Sequence, residues 1–475
     1  MKQQLYNVID EKSPLLTDLS DKIWEYAELS LMEYKSTAAY VQILKDEGFT
    51  VEENLCGIPT AFSGTYGEGK PVIGILGEYD ALSGLSQAPG KAEKQPLEAG
   101  GCGQGCGHNL LGAGSLGAAI AIKELIREGK LRGTVVFYGC PGEEGCAGKA
   151  FMARDGMFRD LDAALTWHPG DTNEVTVGSN AACIQVEYTF TGVSAHAAGD
   201  PYNGRSALDA AELMNVGVQF LREHMPPNSS VHYSFSNSGG ISPNVVQPKA
   251  SLIYMVRSTT VRKAKALLER VNNIAQGAAL MTDTQVTRRQ IDGTSNTLSN
   301  AVLEQLLQDN LLEAPAPTYT PEEMAFAQAL KDTFVPGDLP GTLTDQIPEL
   351  KQFILRQTDG GKKPINDFVV PYYQGSPFSP GSSDVGDVSW LTPTAQITTA
   401  TWPNGCPGHS WQIVSIGKEP QAHKAMLYAA KVLAGAAWDL MTDSALLQKA
   451  KEEFNLTAAE GYDCPLGPEV VAAPQ

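Results

Sequence analysis

The chain has 475 residues, 54 Asp and Glu against 35 Lys and Arg, a formal net charge of −19 and eight cysteines. At about 150 residues per domain this length implies two or three domains, or one large domain with an insertion, and it can bury a core without cross-links. A hydrophobic share of 42% excludes wholesale disorder, and the acidic balance excludes a general nucleic-acid binder and a chain held on an anionic membrane.

The opening run MKQQLYNVIDEKSPLL is charged and reads as helix, without the apolar core or cleavage site of a targeting segment. Leu15, Leu16, Leu19, Ile23 and Trp24 recur at helical spacing, Tyr40 to Leu44 continue the pattern, and Gly48 ends it. A strand is expected at Pro71–Leu76, opening into Gly-Glu-Tyr-Asp80, followed by a long Gly- and Pro-rich loop from Ser86 to Gly107. Asn109 to Glu128 reads as a buried helix. Its longest apolar tract, Leu110 to Ile122, is too short to span a bilayer, so no membrane partner is expected and the chain reads as cytoplasmic. A strand at Thr134–Tyr138, the turn Gly-Cys-Pro-Gly-Glu-Glu-Gly145, a helix through Phe151 and a strand Ala163–Trp167 complete this part. Strands alternating with helices imply an α/β fold with a mostly parallel sheet flanked by helices, and its chemistry collects beyond the carboxyl ends of the strands. Glu78, Asp80, Glu143, Glu144 and His168 all fall there.

From about Ala181 the texture changes. An alternating strand Ile184–Phe190, a helix Ser206–Arg222, strands Val231–Asn237 and Ser251–Arg257, a helix Lys263–Ala279 and a strand Thr284–Gln290 spell β-α-β-β-α-β. That order predicts a ferredoxin-like α+β unit. Lying between two halves of an α/β pattern, it divides the chain into 1–180, an insertion at 181–292, and 293–475. In the last part Glu313–Pro321, Val335–Pro348 and Gly375–Gly381 read as loops, Ala395–Thr399 as a strand and Gln421–Met441 as a long helix.

Four of the seven histidines sit in Gly-, Pro- or Ala-rich turns: His108, His168, His196 and His409. Cys106-Gly-His108 places two good metal donors two residues apart, with Gly107 permitting the bend that converges them. A buried cysteine beside a capping histidine, or a Cys102–Cys106 redox pair, would leave the same pattern. In extended backbone the neighbours Glu143 and Glu144 point to opposite sides, so one can bind a metal while the other addresses its water. Pro169 holds His168 extended at its strand's exit. His196 lies in Gly-Val-Ser-Ala-His-Ala-Ala198, among small residues that admit close approach. Arg257, ending a strand, could clamp a carboxylate with two hydrogen bonds.

Taken in order, GILGEYDAL, GCGHNLLG, YGCPGEEG, the His168 strand, GVSAHAA, GGISPNVV and the late GHS resemble the dinuclear metallopeptidases and amidohydrolases related to aminoacylases, carboxypeptidase G and desuccinylases. Cys106-Gly-His108-Asn109 is similar to the amidohydrolase branch marked by Cys-Gly-His followed by Asp or Asn. The resemblance implies two divalent ions, zinc or manganese, on Cys106, His108, Glu144, His168 and His409, with Glu143 as general base. It implies that His196 stabilises the oxyanion in a neighbouring subunit, so a homodimer or a heteromer with a homologous subunit is expected. Asn244 and Arg257 would hold the substrate's carboxylate. The expected reaction is hydrolysis of an amide N-acylated on glutamate or a similar amino acid, p-aminobenzoyl-glutamate first among them. A dipeptidase or N-acyl-amino-acid deacylase, a catalytically silent partner subunit, and a Cys106 nucleophile with a histidine base are the competing readings. Two features depart from the branch. Glu78-Tyr79-Asp80 stands where it has Asp-Met-Asp, which leaves Asp80 a place behind the ligands. The segments 86–105 and 314–380 read as long loops, longer than in minimal members.

Overall fold

In the computed structural model of the chain, residues 1–335 and 347–474 are described. The strands, in chain order, are β1 (Thr50–Glu53), β2 (Phe62–Glu68), β3 (Val72–Gly77), β4 (Gly133–Gly139), β5 (Ala163–Gly170), β6 (Glu174–Val175), β7 (Ser179–Asn180), β8 (Ala182–Thr191), β9 (Ser230–Asn237), β10 (Lys249–Ser258), β11 (Gln285–Thr294), β12 (Phe378–Ser379) and β13 (Thr394–Ala400). Seven form a central sheet in the order β1-β2-β4-β3-β5-β13-β6. Its middle strands β4, β3, β5 and β13 are parallel. The hairpin β1–β2 closes one edge antiparallel and β6 the other.

The pleat sorts the apolar runs onto two faces, as period-two alternation requires. Ile73, Ile75, Val135, Phe137, Leu165 and Trp167 pack against the helices on one side, whereas Leu76, Val136, Tyr138 and Ala164 pack on the other. The first face is covered by helix His108–Arg127, wedged between helices Lys2–Tyr26 and Pro420–Thr442. Helix His108–Arg127 is long and apolar enough to cross a membrane, but 89% of its most apolar stretch is buried inside the protein. Gly112 lets its first turns approach so closely: a Cβ there would lie 2.3 Å from Tyr40 Oη and 2.5 Å from the Glu78 carbonyl. The helix's N-terminus, and His108 with it, is thereby set beside the exit of β3.

Between β6 and β13 the chain builds a separate antiparallel sheet, ordered β11-β8-β10-β9. Helices Ala207–Arg222 and Val261–Thr282 cover one face. Their shared core includes Ile184, Val186, Tyr188, Phe190, Leu252, Tyr254 and Val256. The α/β class with a ferredoxin-like α+β unit, expected from the sequence, is the fold observed.

Three local readings need correction. The β1–β2 hairpin is unsignalled, because β1 is a short, solvent-facing edge strand, Thr-Val-Glu-Glu. The stretch 314–380 is not one long loop, since helices Pro321–Lys331 and Pro348–Gln357 lie in it. The first carries a readable start: Thr320 and Glu323 form a reciprocal capping box around Pro321 at the first helical position. Much of the loop expected at Val335–Pro348 lies outside the described residues. Finally, Glu143 and Glu144 sit in a turn rather than in extended backbone: Gly142 has φ +71° and Cys146 N–H donates to Gly142 O at 3.0 Å.

Candidate metal centre

The exits of β3, β4 and β5 meet the N-terminus of helix His108–Arg127 at one edge of the central sheet. Gly107, at φ +74°, turns the chain so that Cys106 and His108 face the same space. Cys106 Sγ lies 3.5 Å from His168 Nε2, and the rings of His108 and His168 stand perpendicular with centroids 5.7 Å apart. From the late loop, His409 Nε2 comes 3.5 Å from Glu144 Oε1. Donor atoms of Cys106, His108 and His168 lie within 4.8 Å of one another, as do those of Cys106, Glu144 and His409. Cys106 belongs to both groups. Glu143 brings a carboxylate oxygen within 4.8 Å of His108 and Glu78.

Both inner histidines are oriented from behind. His108 Nδ1 is 2.9 Å from Asp80 Oδ1, and His168 Nδ1 is 2.7 Å from the Pro169 carbonyl. An Nδ1–H donated to each oxygen leaves Nε2 with its lone pair facing the cluster, the arrangement that metal-binding histidines adopt. Asp80 also accepts from Ser30 Oγ at 2.8 Å and from the Glu144 backbone N–H at 2.9 Å, so it locks histidine and carboxylate together.

The donor set fits divalent ions. Glu78 Oε2, His108 Nε2 and Glu144 Oε1 are buried, and none has a hydrogen-bond partner. Buried acceptors facing one another repel unless a cation lies between them. Two donors bound tetrahedrally at about 2.1 Å stand about 3.4 Å apart. The Cys106–His168 and Glu144–His409 separations are of that size. Thiolate, imidazole and carboxylate together are a zinc-type donor set.

The electrostatics agree with this geometry. Burial, together with the Glu78, Asp384 and Glu144 carboxylates, pushes the Glu143 carboxyl well above its usual range. Burial lowers the His168 imidazole to about 4, so it is neutral and able to ligate. Burial and Glu144 raise the Cys106 thiol. That is the reverse of an activated nucleophile. All eight cysteines are free, so Cys102 and Cys106 form no disulfide.

The remaining expected site residues lie on the antiparallel sheet, at opposite ends. His196 and Asn244 come together at one end: Ala197 N–H donates to the Asn244 carbonyl at 2.9 Å, and His196 bridges Val245. Both side chains belong to exposed residues. Arg257 is at the other end of β10, opposite Cys183. Eight residues separate it from Lys249, or about 26 Å of strand. Asn244 and Arg257 therefore cannot grip one carboxylate within one chain. Arg257 Nη1 instead donates to Ser382 Oγ at 2.9 Å, and its buried Nε has no partner.

Sequence reasoning passed over the groups behind the cluster. Lys149, fully buried, lies 2.6 Å from Glu78 Oε1 and 2.5 Å from Asp384 Oδ1, and its backbone N–H donates to Asp384 Oδ2 at 2.8 Å. Its one signal is a lone charge in the apolar run Cys146–Ala153. Buried Glu33 accepts from Gly142 N–H at 2.9 Å and so holds the turn that carries Glu143.

These elements have counterparts in known proteins. The model of peptidase family M20/M25/M40 matches residues 74–452. One of the p-aminobenzoyl-glutamate hydrolase subunits of Escherichia coli (strain K12) is 42% identical over 481 residues, spanning 99% of both chains. Among solved structures, an aminobenzoyl-glutamate utilization protein from Klebsiella pneumoniae superposes with a TM-score of 0.57 at 16% identity, covering 92% of this chain and 98% of its own. A dinuclear metal binding peptidase of the M20 family from Bacillus subtilis gives 0.55 at 18%, covering 91% and 99%. At such identities the two structures speak for the fold alone. The family match runs through both parts of the central sheet and the antiparallel unit between them, and with the end-to-end relative it makes this chain a member of peptidase family M20/M25/M40, a hydrolase of amide or peptide bonds.

Proposed function

We propose that the chain hydrolyses an amide N-acylated on an amino acid, with p-aminobenzoyl-glutamate cleaved to p-aminobenzoate and glutamate as the leading reaction. The observation that carries this reading is the convergence of Cys106, His108, Glu144, His168 and His409 beside Glu143. The 42% identical hydrolase from Escherichia coli supports the substrate. The five donors would hold two divalent ions, zinc or manganese. When bound, such ions acidify a water and polarise the scissile carbonyl. Glu143 takes a proton from the attacking water and delivers it to the leaving amine. Its raised proton affinity suits it to the second task.

His196 is set up as a donor. Its Nδ1 accepts the backbone N–H groups of Ala198 at 3.1 Å and Gly199 at 3.0 Å. The ring proton is therefore on Nε2, free to stabilise a tetrahedral oxyanion. Because His196 and Asn244 lie at the far end of the antiparallel sheet, they act on the site of a second chain, either another copy or a homologue. The Escherichia coli relative is itself one subunit of its hydrolase, which supports a partner chain here. Arg257 meets the substrate's carboxylate within its own chain after releasing Ser382. We also propose 1–180 and 293–475 as the two parts of a catalytic domain, with 181–292 as an inserted lid and dimerisation domain.

The test is a panel of p-aminobenzoyl-glutamate, β-alanyl dipeptides and N-acyl amino acids, assayed with metal-loaded protein before and after exhaustive chelation. Turnover should be greatest on p-aminobenzoyl-glutamate, vanish with the metal and return with zinc or manganese. Full activity after metal removal would overturn the metal mechanism. Preference for a dipeptide would overturn the substrate.

A further inference from the structure

Glu78 has no part in the mechanism above, yet it is among the most constrained charges in the chain. It is 2% exposed, at the exit of β3. Its Oε1 is taken by Lys149 Nζ at 2.6 Å, and Lys149 is itself fixed by Asp384 through both its ammonium and its backbone N–H. The carboxylate therefore cannot turn, and Oε2 is left aimed at His108 Nε2, 3.3 Å away. Neither of these two atoms has a hydrogen-bond partner. His108 is fully buried, and its Nδ1 is occupied by Asp80. With the ring proton on that side, Nε2 and Glu78 Oε2 are two lone-pair donors facing each other in a buried site. Their 3.3 Å separation is again that of two tetrahedral ligands of one ion, for which about 3.4 Å is expected.

We propose that Glu78 is a further ligand, giving Oε2 to the ion held by His108 Nε2, with Lys149 and Asp384 as its positioning pair. The proposal rests on the metal reading above and adds an oxygen donor to it. It also explains a buried lysine beside a cation site. Lys149 neutralises one oxygen and fixes the other, so the carboxylate arrives already oriented.

The deciding experiment is a crystal structure of the zinc-loaded full-length protein with anomalous data at the zinc edge. The expected result is a peak bound by His108 Nε2 and by Glu78 Oε2 at about 2.0–2.2 Å. Peaks on Cys106, His168, Glu144 and His409 with Glu78 Oε2 beyond about 3 Å would overturn the proposal and leave the metal reading standing. The absence of any peak would remove both. In solution, Glu78→Gln and Glu78→Asp should each bind one equivalent of zinc as the unsubstituted chain does and the other about 100-fold more weakly. The measurement is a titration against a competing chelator, with circular dichroism of the metal-free variants as the folding control. Glu78→Asp keeps the charge for Lys149 while shortening the reach, and it reads the same point if the glutamine variant does not fold. Unchanged affinity for both equivalents in either folded variant overturns the proposal.

Discussion

The inner histidines and His196 are held in opposite ways. His108 and His168 turn Nδ1 outward to fixed oxygens and present Nε2 to a cluster made wholly by their own chain. His196 has Nδ1 tied to two backbone N–H groups and presents Nε2 to solvent, on an exposed loop. The first arrangement is complete: ligands, orienting carboxylates and a buried lysine are all supplied in one chain. The second is a donor without an acceptor. On the function proposed above, one region is a finished half of a site, and the other is the half that serves a neighbour.

The largest effect that sharpens this contrast is at Glu143. Glu143→Ala should lower kcat by about 10²–10⁴ while the protein keeps its metal, because the base is not a ligand. Metal content and turnover of the same preparation check this. Loss of metal along with activity would move Glu143 among the ligands.

His196→Ala should cost about 10²–10³ in kcat with KM little changed, as for loss of one oxyanion donor. Mixing the two inactive variants tests whose site His196 serves. In a mixed dimer of Glu143→Ala and His196→Ala chains, one of the two sites has both groups intact. Random reassortment should then restore about a quarter of the unsubstituted activity. No recovery after verified subunit exchange would place His196 in its own chain's site and collapse the contrast. Next in size, Arg257→Ala should raise KM by about 10–100-fold for substrates with a free carboxylate, the cost of a charged hydrogen bond. Equal loss on carboxylate-free amides would make Arg257 a structural partner of Ser382 instead.

How much of this was readable from sequence follows from where each signal lies. β3, β4 and β5 are short apolar runs, and each donor stands at a turn that glycine or proline marks. The ligand candidates were therefore visible one by one. The ion pair of Lys149 and Asp384 was not, because it joins residues 235 apart in sequence. The Glu143–Glu144 geometry was misread because Gly142 takes a positive φ, which residue type permits but does not require. The Asn244–Arg257 separation was hidden for a simpler reason: Asn244 precedes β10 and Arg257 stands near its far end, which is plain only once β10 is known to run unbroken from Lys249 to Ser258 along β8.

The smallest expected effect concerns stability rather than turnover, and it belongs to the inner cluster. Half-buried His168 has its folded-state pKa lowered to about 4, against an unfolded value near 6.5. Between those values the unfolded chain binds the extra proton and the folded chain does not. Stability of the metal-free protein should therefore fall as pH drops from about 6.5 to 4, by up to about 1.4 kcal/mol per pH unit from this group. Below 4 both states are protonated and the slope from His168 ends. Urea unfolding of metal-free protein across this range measures it, and His168→Gln should flatten the curve. A curve that keeps its slope in the His168 variant would mean that another group of the buried cluster takes up the proton.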